Sequence, residues 1–132
     1  MIYFMKAKDL KILVCDDSVL ARKNLATNLK KCAIENILQV ADGQSAVDTY
    51  KAEHPDIIFL DVVMPVKDGI TALNEVMEFD SNAVAVMVSS VGTQMHIREA
   101  VKAGARDFLQ KPATLEQITS IIDRVLREKA NS

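Results

Sequence analysis

Asp56-Ile57-Ile58-Phe59-Leu60-Asp61 is the stretch that decides the fold. Four apolar residues run without a break and end against a carboxylate. A strand with one wet face alternates apolar and polar residues, whereas a strand covered on both faces is apolar throughout. The second pattern belongs to a parallel sheet held between helices. Similar short runs stand at Lys11–Cys15, Asn36–Val40, Ala83–Val88 and Asp107–Leu109. Between and after them lie stretches with helical spacing. Ser18–Lys31 aligns Leu25, Ala26 and Leu29, with Ser18 placed to cap its start. Gln44–Glu53 aligns Ala46, Val47 and Tyr50, and Thr71–Glu78 follows Ile70 with Leu73, Val76 and Met77. Thr93–Ala103 turns Ile97, Ala100 and Val101 inward and stops at Gly104. Leu115–Glu128 turns Leu115, Ile118, Ile121, Ile122 and Val125 inward. Strand and helix alternate five times, which specifies an α/β domain with right-handed crossovers.

Composition narrows the function. The chain has 132 residues, enough for one domain. Sixteen Lys and Arg against 18 Asp and Glu leave a net charge of −2, so no broad attraction to nucleic acid or an anionic membrane is expected. Tryptophan is absent and aromatics are 5%, which removes stacking platforms for single strands. Two cysteines, Cys15 and Cys32, make no disulfide framework and read as small buried apolar residues. The apolar start ends at Met5, too short for a signal-peptide core or a membrane span, which predicts a cytoplasmic protein. Residues 1–10 read as an N-terminal lead-in to a single domain over residues 11–129, and the polar end Glu-Lys-Ala-Asn-Ser reads as a finish rather than a linker.

The polar residues fall at the strand ends. Asp16 and Asp17 follow the first strand, Asp61 the third, Ser89 and Ser90 the fourth, and Lys111 the fifth. In an open parallel sheet these carboxyl ends line the ligand crevice. Any one Asp alone reads as a solvated cap, but caps do not account for all these positions together. Three carboxylates in one crevice repel each other. Mg2+ resolves that conflict, since it takes few carboxylates and keeps positions for water and phosphate oxygens. A carboxylate there can act as a nucleophile toward phosphorus. Mg2+, Lys111 and Ser89 could then each take one phosphoryl oxygen.

These residues carry a resemblance. Ile12-Leu13-Val14-Cys15-Asp16-Asp17-Ser18 resembles the opening of response-regulator receiver domains of two-component signalling. Asp61-Val62-Val63-Met64-Pro65-Val66-Lys67-Asp68-Gly69 resembles the phosphoacceptor segment of that family, and Val86-Met87-Val88-Ser89-Ser90 its switch-hydroxyl strand. Gly104-Ala105-Arg106-Asp107-Phe108-Leu109-Gln110-Lys111-Pro112 resembles its aromatic and Lys-Pro segment. The resemblance implies a doubly wound, flavodoxin-like sheet of order 2-1-3-4-5 with five helices. It implies phosphorylation of Asp61 by a histidine kinase or phosphotransfer protein. Mg2+ would be held by Asp17, by Asp16 largely through water, by Asp61 and by the main-chain carbonyl of Val63. Ser89 and Lys111 would bind phosphoryl oxygens, Phe108 would be the switch aromatic, and the Lys111–Pro112 bond would be cis. A downstream protein would read the face of the fourth helix, fifth strand and fifth helix, with no direct nucleic-acid or membrane partner.

Within that family the expectation is a stand-alone switch, acting in chemotaxis, with no enzymatic activity beyond its own phosphorylation and dephosphorylation. The alternatives are a receiver fragment of a DNA-binding or other multidomain regulator, or a phosphorelay intermediate. A phosphoaspartyl hydrolase of the haloacid dehalogenase kind fits less well, because Asp61 is followed by Val62-Val63 and not by an Asp-x-Asp pair. Val63 and Val91 are apolar where many receivers carry polar residues, which suggests shielding of the phosphoryl group from water. Phe108 has no hydroxyl to offer, so recognition at that position must be by packing.

Overall fold

The computed structural model describes residues 6–90 and 92–131. A 3-10 turn, Ala7–Asp9, leads into β1 (Lys11–Cys15). There follow α1 (Val19–Lys31), β2 (Asn36–Val40), α2 (Gly43–Glu53), β3 (Ile57–Leu60) and α3 (Gly69–Phe79). β4 (Ala85–Ser89), α4 (Gln94–Ala103), β5 (Asp107–Gln110) and α5 (Leu115–Ala130) complete the order. The strands form one parallel sheet, β2-β1-β3-β4-β5, as the resemblance implied.

Successive strand residues point to opposite faces, so the sheet separates two cores. Leu13, Cys15, Ile58, Leu60, Ala85 and Met87 pack with buried residues of α2, α3 and α4. Ile12, Val14, Ile57, Phe59, Val86 and Val88 pack with Leu29 of α1 and with Ile118, Ile121, Ile122 and Val125 of α5. Each α-helix starts on a side-chain cap. Ser18, Asp42, Asp68, Thr93 and Thr114 accept the N–H of Ala21, Ser45, Thr71, His96 and Gln117. Such caps typically contribute about 1 kcal/mol each. Among the described residues no helix is long and apolar enough to cross a membrane.

Three apolar positions expected inside are not. Ile97, Val101 and Leu115 are 38%, 65% and 40% exposed. On α4 only Ala100 is buried, because this helix lies against α3 and the edge strand β5, where little sheet remains to cover. Leu115 opens α5 at the sheet rim, above the buried rows that begin at Ile118. Leu10, the last residue of the expected lead-in, departs the other way: it is fully buried in the α1/α5 core.

Candidate functional site

The site forms where β1, β3, β4 and β5 end together. The parallel register carries past the strands, as the Asp61 N–H donates to the Cys15 carbonyl (3.0 Å) and the Asp16 N–H to Val40 (3.2 Å). This brings two aspartates, distant in sequence, to one crevice. Asp16 and Asp61 are each only 6% exposed, while Asp17 is exposed. Oxygens of Asp16, Asp17 and Asp61 lie within 4.8 Å of one another. Asp16 is fixed further: its Oδ1 accepts the Ser18 N–H at 2.9 Å, and its carbonyl accepts from Arg22 Nη1 at 2.6 Å.

Lys111 reaches the same crevice from beyond β5. Its N–H donates to the Ser89 carbonyl (2.8 Å), which anchors the Lys-Pro turn to β4. The Lys111–Pro112 bond is cis, as expected. Lys111 Nζ lies 2.5 Å from Asp16 Oδ2 and 3.1 Å from Asp61 Oδ2. One ammonium is therefore shared by two buried carboxylates, with a third nearby.

The electrostatics follow from that ratio. Burial raises the Asp61 carboxyl above its usual value; hydrogen bonds from Lys111 and the Val63 N–H oppose the rise, and the Asp16 charge adds to it. Burial works against the Lys111 charge, but its bonds to Asp16 and Asp61 outweigh that and raise its pKa. Beneath the site, burial and then the charges of Asp42, Asp16 and Asp61 push the Cys15 thiol up to about 12. Cys15 Sγ lies 3.2 Å from the Asp42 carbonyl and 3.1 Å from Met64 Sδ, so it packs as the expected inert thiol.

The segment after Asp61 is tightly folded back. The Gly69 N–H donates to the Val62 carbonyl at 2.7 Å, and a Cβ on Gly69 would stand 1.8 Å from the Asp61 carbonyl oxygen. Only glycine permits that approach. The Lys67 N–H closes on the Pro65 carbonyl at 2.7 Å, with Val66 between them at φ +69°. This is the rarer, positive-φ form of the γ-turn, unusual for a β-branched residue. Val63, beside Asp61, leaves 64% of its surface exposed.

Ser89 ends β4, almost fully buried, and Ser90 beside it is exposed. Phe108 is half-buried and packs against the core that includes α4. Its ring would lie 3.6 Å from a Cβ built on Gly92, so it faces the β4–α4 connection. Val91 lies outside the described residues. A cavity of about 760 Å3 opens beside the carboxylates and runs along α1, from Asp16, Asp61 and Lys111 to Asn28 and Lys31. The predicted residues Asp16, Asp17, Asp61 and Lys111 thus converge, and Ser89 stands at the adjoining strand end. Sequence reasoning passed over Arg22, whose only signal was a cation one turn after the paired aspartates, and the steric demand at Gly69.

Comparison with known proteins points in one direction. The family description "response regulator receiver domain" matches residues 12–123. The chain is 35% identical over 116 residues to the chemotaxis protein CheY of Bacillus subtilis strain 168, covering 88% of this chain and 97% of that one. It is 37% identical over 120 residues to the chemotaxis protein CheY of Halobacterium salinarum, covering 88% and 96%. A chain of the Borrelia burgdorferi CheX-CheY-BeF3-Mg2+ complex matches with a TM-score of 0.82 at 35% identity, covering 88% of each chain.

Proposed function

The chain belongs to the response regulator receiver domain family, and on that premise we propose that it is a stand-alone switch phosphorylated on Asp61 in a chemotaxis pathway. The observation that carries the proposal is the shared ammonium: Lys111 bridges Asp16 and Asp61, with the Asp17 carboxylate beside them. The donor is a histidine kinase or a phosphotransfer protein in the cytoplasm. The matched CheY proteins are chemotaxis proteins, which supports the pathway.

The donor set suits Mg2+. All the ligands are oxygens, two of the three carboxylates are buried, and the exposed Asp17 leaves the site open to water. Asp16, Asp17, Asp61 and the main-chain carbonyl of Val63 would hold the ion. Bound Mg2+ would offset the carboxylate repulsion and the charge on the phosphoryl oxygens.

The side chains then divide the work. An Asp61 carboxylate oxygen attacks phosphorus, and the bond from phosphorus to the donor breaks. Lys111 leaves Asp16 and pairs with a phosphoryl oxygen, and the Ser89 hydroxyl donates to another. Phosphorylation brings close to two negative charges at neutral pH. Shifting a switch from mostly off to mostly on needs about 5 kcal/mol. A few charge-assisted hydrogen bonds, at about 1.5–3 kcal/mol each, supply energy of that order. As Ser89 moves, Phe108 packs inward and the face built from α4, β5 and α5 changes for its target. The exposed Val63 side chain limits access of water to the phosphoryl group.

Incubation with a small phosphodonor and Mg2+, followed by intact mass, tests the proposal. One added phosphate is expected in the natural protein and none in Asp61→Asn. Turnover of unrelated phosphate esters would instead favour a hydrolase. Val63→Asn is expected to shorten the phosphoryl lifetime, and an unchanged lifetime removes the shielding role.

A further inference from the structure

Arg22 stands one turn into α1 and is half-buried. Its Nη1 binds the main-chain carbonyl of Asp16 at 2.6 Å, so it grips the peptide that joins Asp16 to Asp17. Among the described residues the turn is also held by the Asp16 N–H to Val40, Oδ1 to the Ser18 N–H, and Oδ2 to Lys111. The Lys111 hold is given up when that ammonium turns to a phosphoryl group. The Arg22 hold is not, because it uses a main-chain carbonyl and engages no carboxylate oxygen.

We infer that Arg22 is a positioning residue of the cation site, fixing the Asp16–Asp17 turn through its main chain so that both carboxylates stay aimed while Lys111 moves; this rests on the receiver reading above. Two simpler roles give different results. If Arg22 acted by charge alone, removing it would tighten Mg2+ binding, since a repelling cation is gone. If it acted by packing alone, its loss would lower the melting temperature and leave Mg2+ affinity unchanged.

The experiment is calorimetric titration of MgCl2 into the full chain, with melting temperature recorded for each variant. Arg22→Met is expected to weaken Mg2+ binding by about 10-fold, the lower end for loss of an outer-shell partner. Arg22→Lys, whose ammonium can reach the same carbonyl, recovers most of that loss. Arg22→Gln is the second variant should Arg22→Met fail to fold, and it is expected to lose affinity likewise. An Arg22→Met or Arg22→Gln protein that binds Mg2+ as tightly as the natural one, or tighter, overturns this inference alone. A natural protein that binds no Mg2+ overturns the receiver reading and this inference with it.

Discussion

At the amino end of the sheet Asp56 meets Lys11 and Lys129; at the carboxyl end Asp16 and Asp61 meet Lys111, with Asp17 beside them. Asp56 has a partner for each oxygen: Oδ2 accepts the Lys11 N–H at 2.7 Å, and Oδ1 pairs with Lys129 at 2.8 Å. Lys11 Nζ turns away to Glu53 at 3.4 Å. That end is closed, and it ties β1 and the end of α5 to the start of β3. The carboxyl end has one shared ammonium for two buried carboxylates and a third carboxylate alongside. The same residue types give a fastening at one end and an unmet demand for positive charge at the other. The ratio of carboxylates to cations decides which.

Substitutions at the two ends should therefore differ in size and in sign. Gly69→Ala places a Cβ 1.8 Å from the Asp61 carbonyl. It is expected to cost about 3 kcal/mol in urea unfolding, at the upper end for overpacking. A near-neutral result would mean that the segment after Asp61 moves freely. Asp56→Ala should cost about 2 kcal/mol, because it strips a charge-assisted bond from the Lys11 N–H and removes the ion pair to Lys129. Val66→Gly should stabilise by about 1 kcal/mol, as relief of the positive φ exceeds the added freedom of the unfolded chain.

Asp61→Asn should raise the melting temperature of the metal-free protein at neutral pH, the reverse of Asp56→Ala. The sign follows from the raised Asp61 carboxyl. A group with a raised folded pKa favours the fold while protonated and loses that contribution as pH rises through the folded value. Asn never ionises, so its advantage is full at neutral pH, shrinks as pH falls through the raised value, and is gone below the ordinary carboxylate range. Melting curves at pH 7 and pH 3 check this, and a loss of stability at pH 7 would mean that Asp61 is satisfied like Asp56.

The strands were legible because a sheet covered on both faces needs unbroken apolar runs, and Ile57–Leu60 is such a run with every residue buried. The acidic and basic residues stood out because each follows such a run directly. What stayed hidden depends on distance and shape. Helical spacing locates the stripe on α4 but carries no information on how far the sheet extends beneath it, so it points Ile97 and Val101 inward although both are exposed. Leu10 follows a 3-10 turn too short to show a period. Arg22 acts on Asp16 across the start of a helix, and Gly69 matters for an overlap seen only when two carbonyl-bearing segments meet in space.

Among the described residues the sheet's two cores share no side chains: Phe108 belongs with α2, α3 and α4, and the next residue, Leu109, with α1 and α5. The chain is accordingly two mutational compartments joined by backbone. Substitutions drawn from one compartment should be epistatic, because neighbours repack together. Pairs drawn from opposite compartments should combine additively, to within about 0.5 kcal/mol. The layer beneath α4 can therefore drift to suit a new target while the layer beneath α1 keeps its own solution.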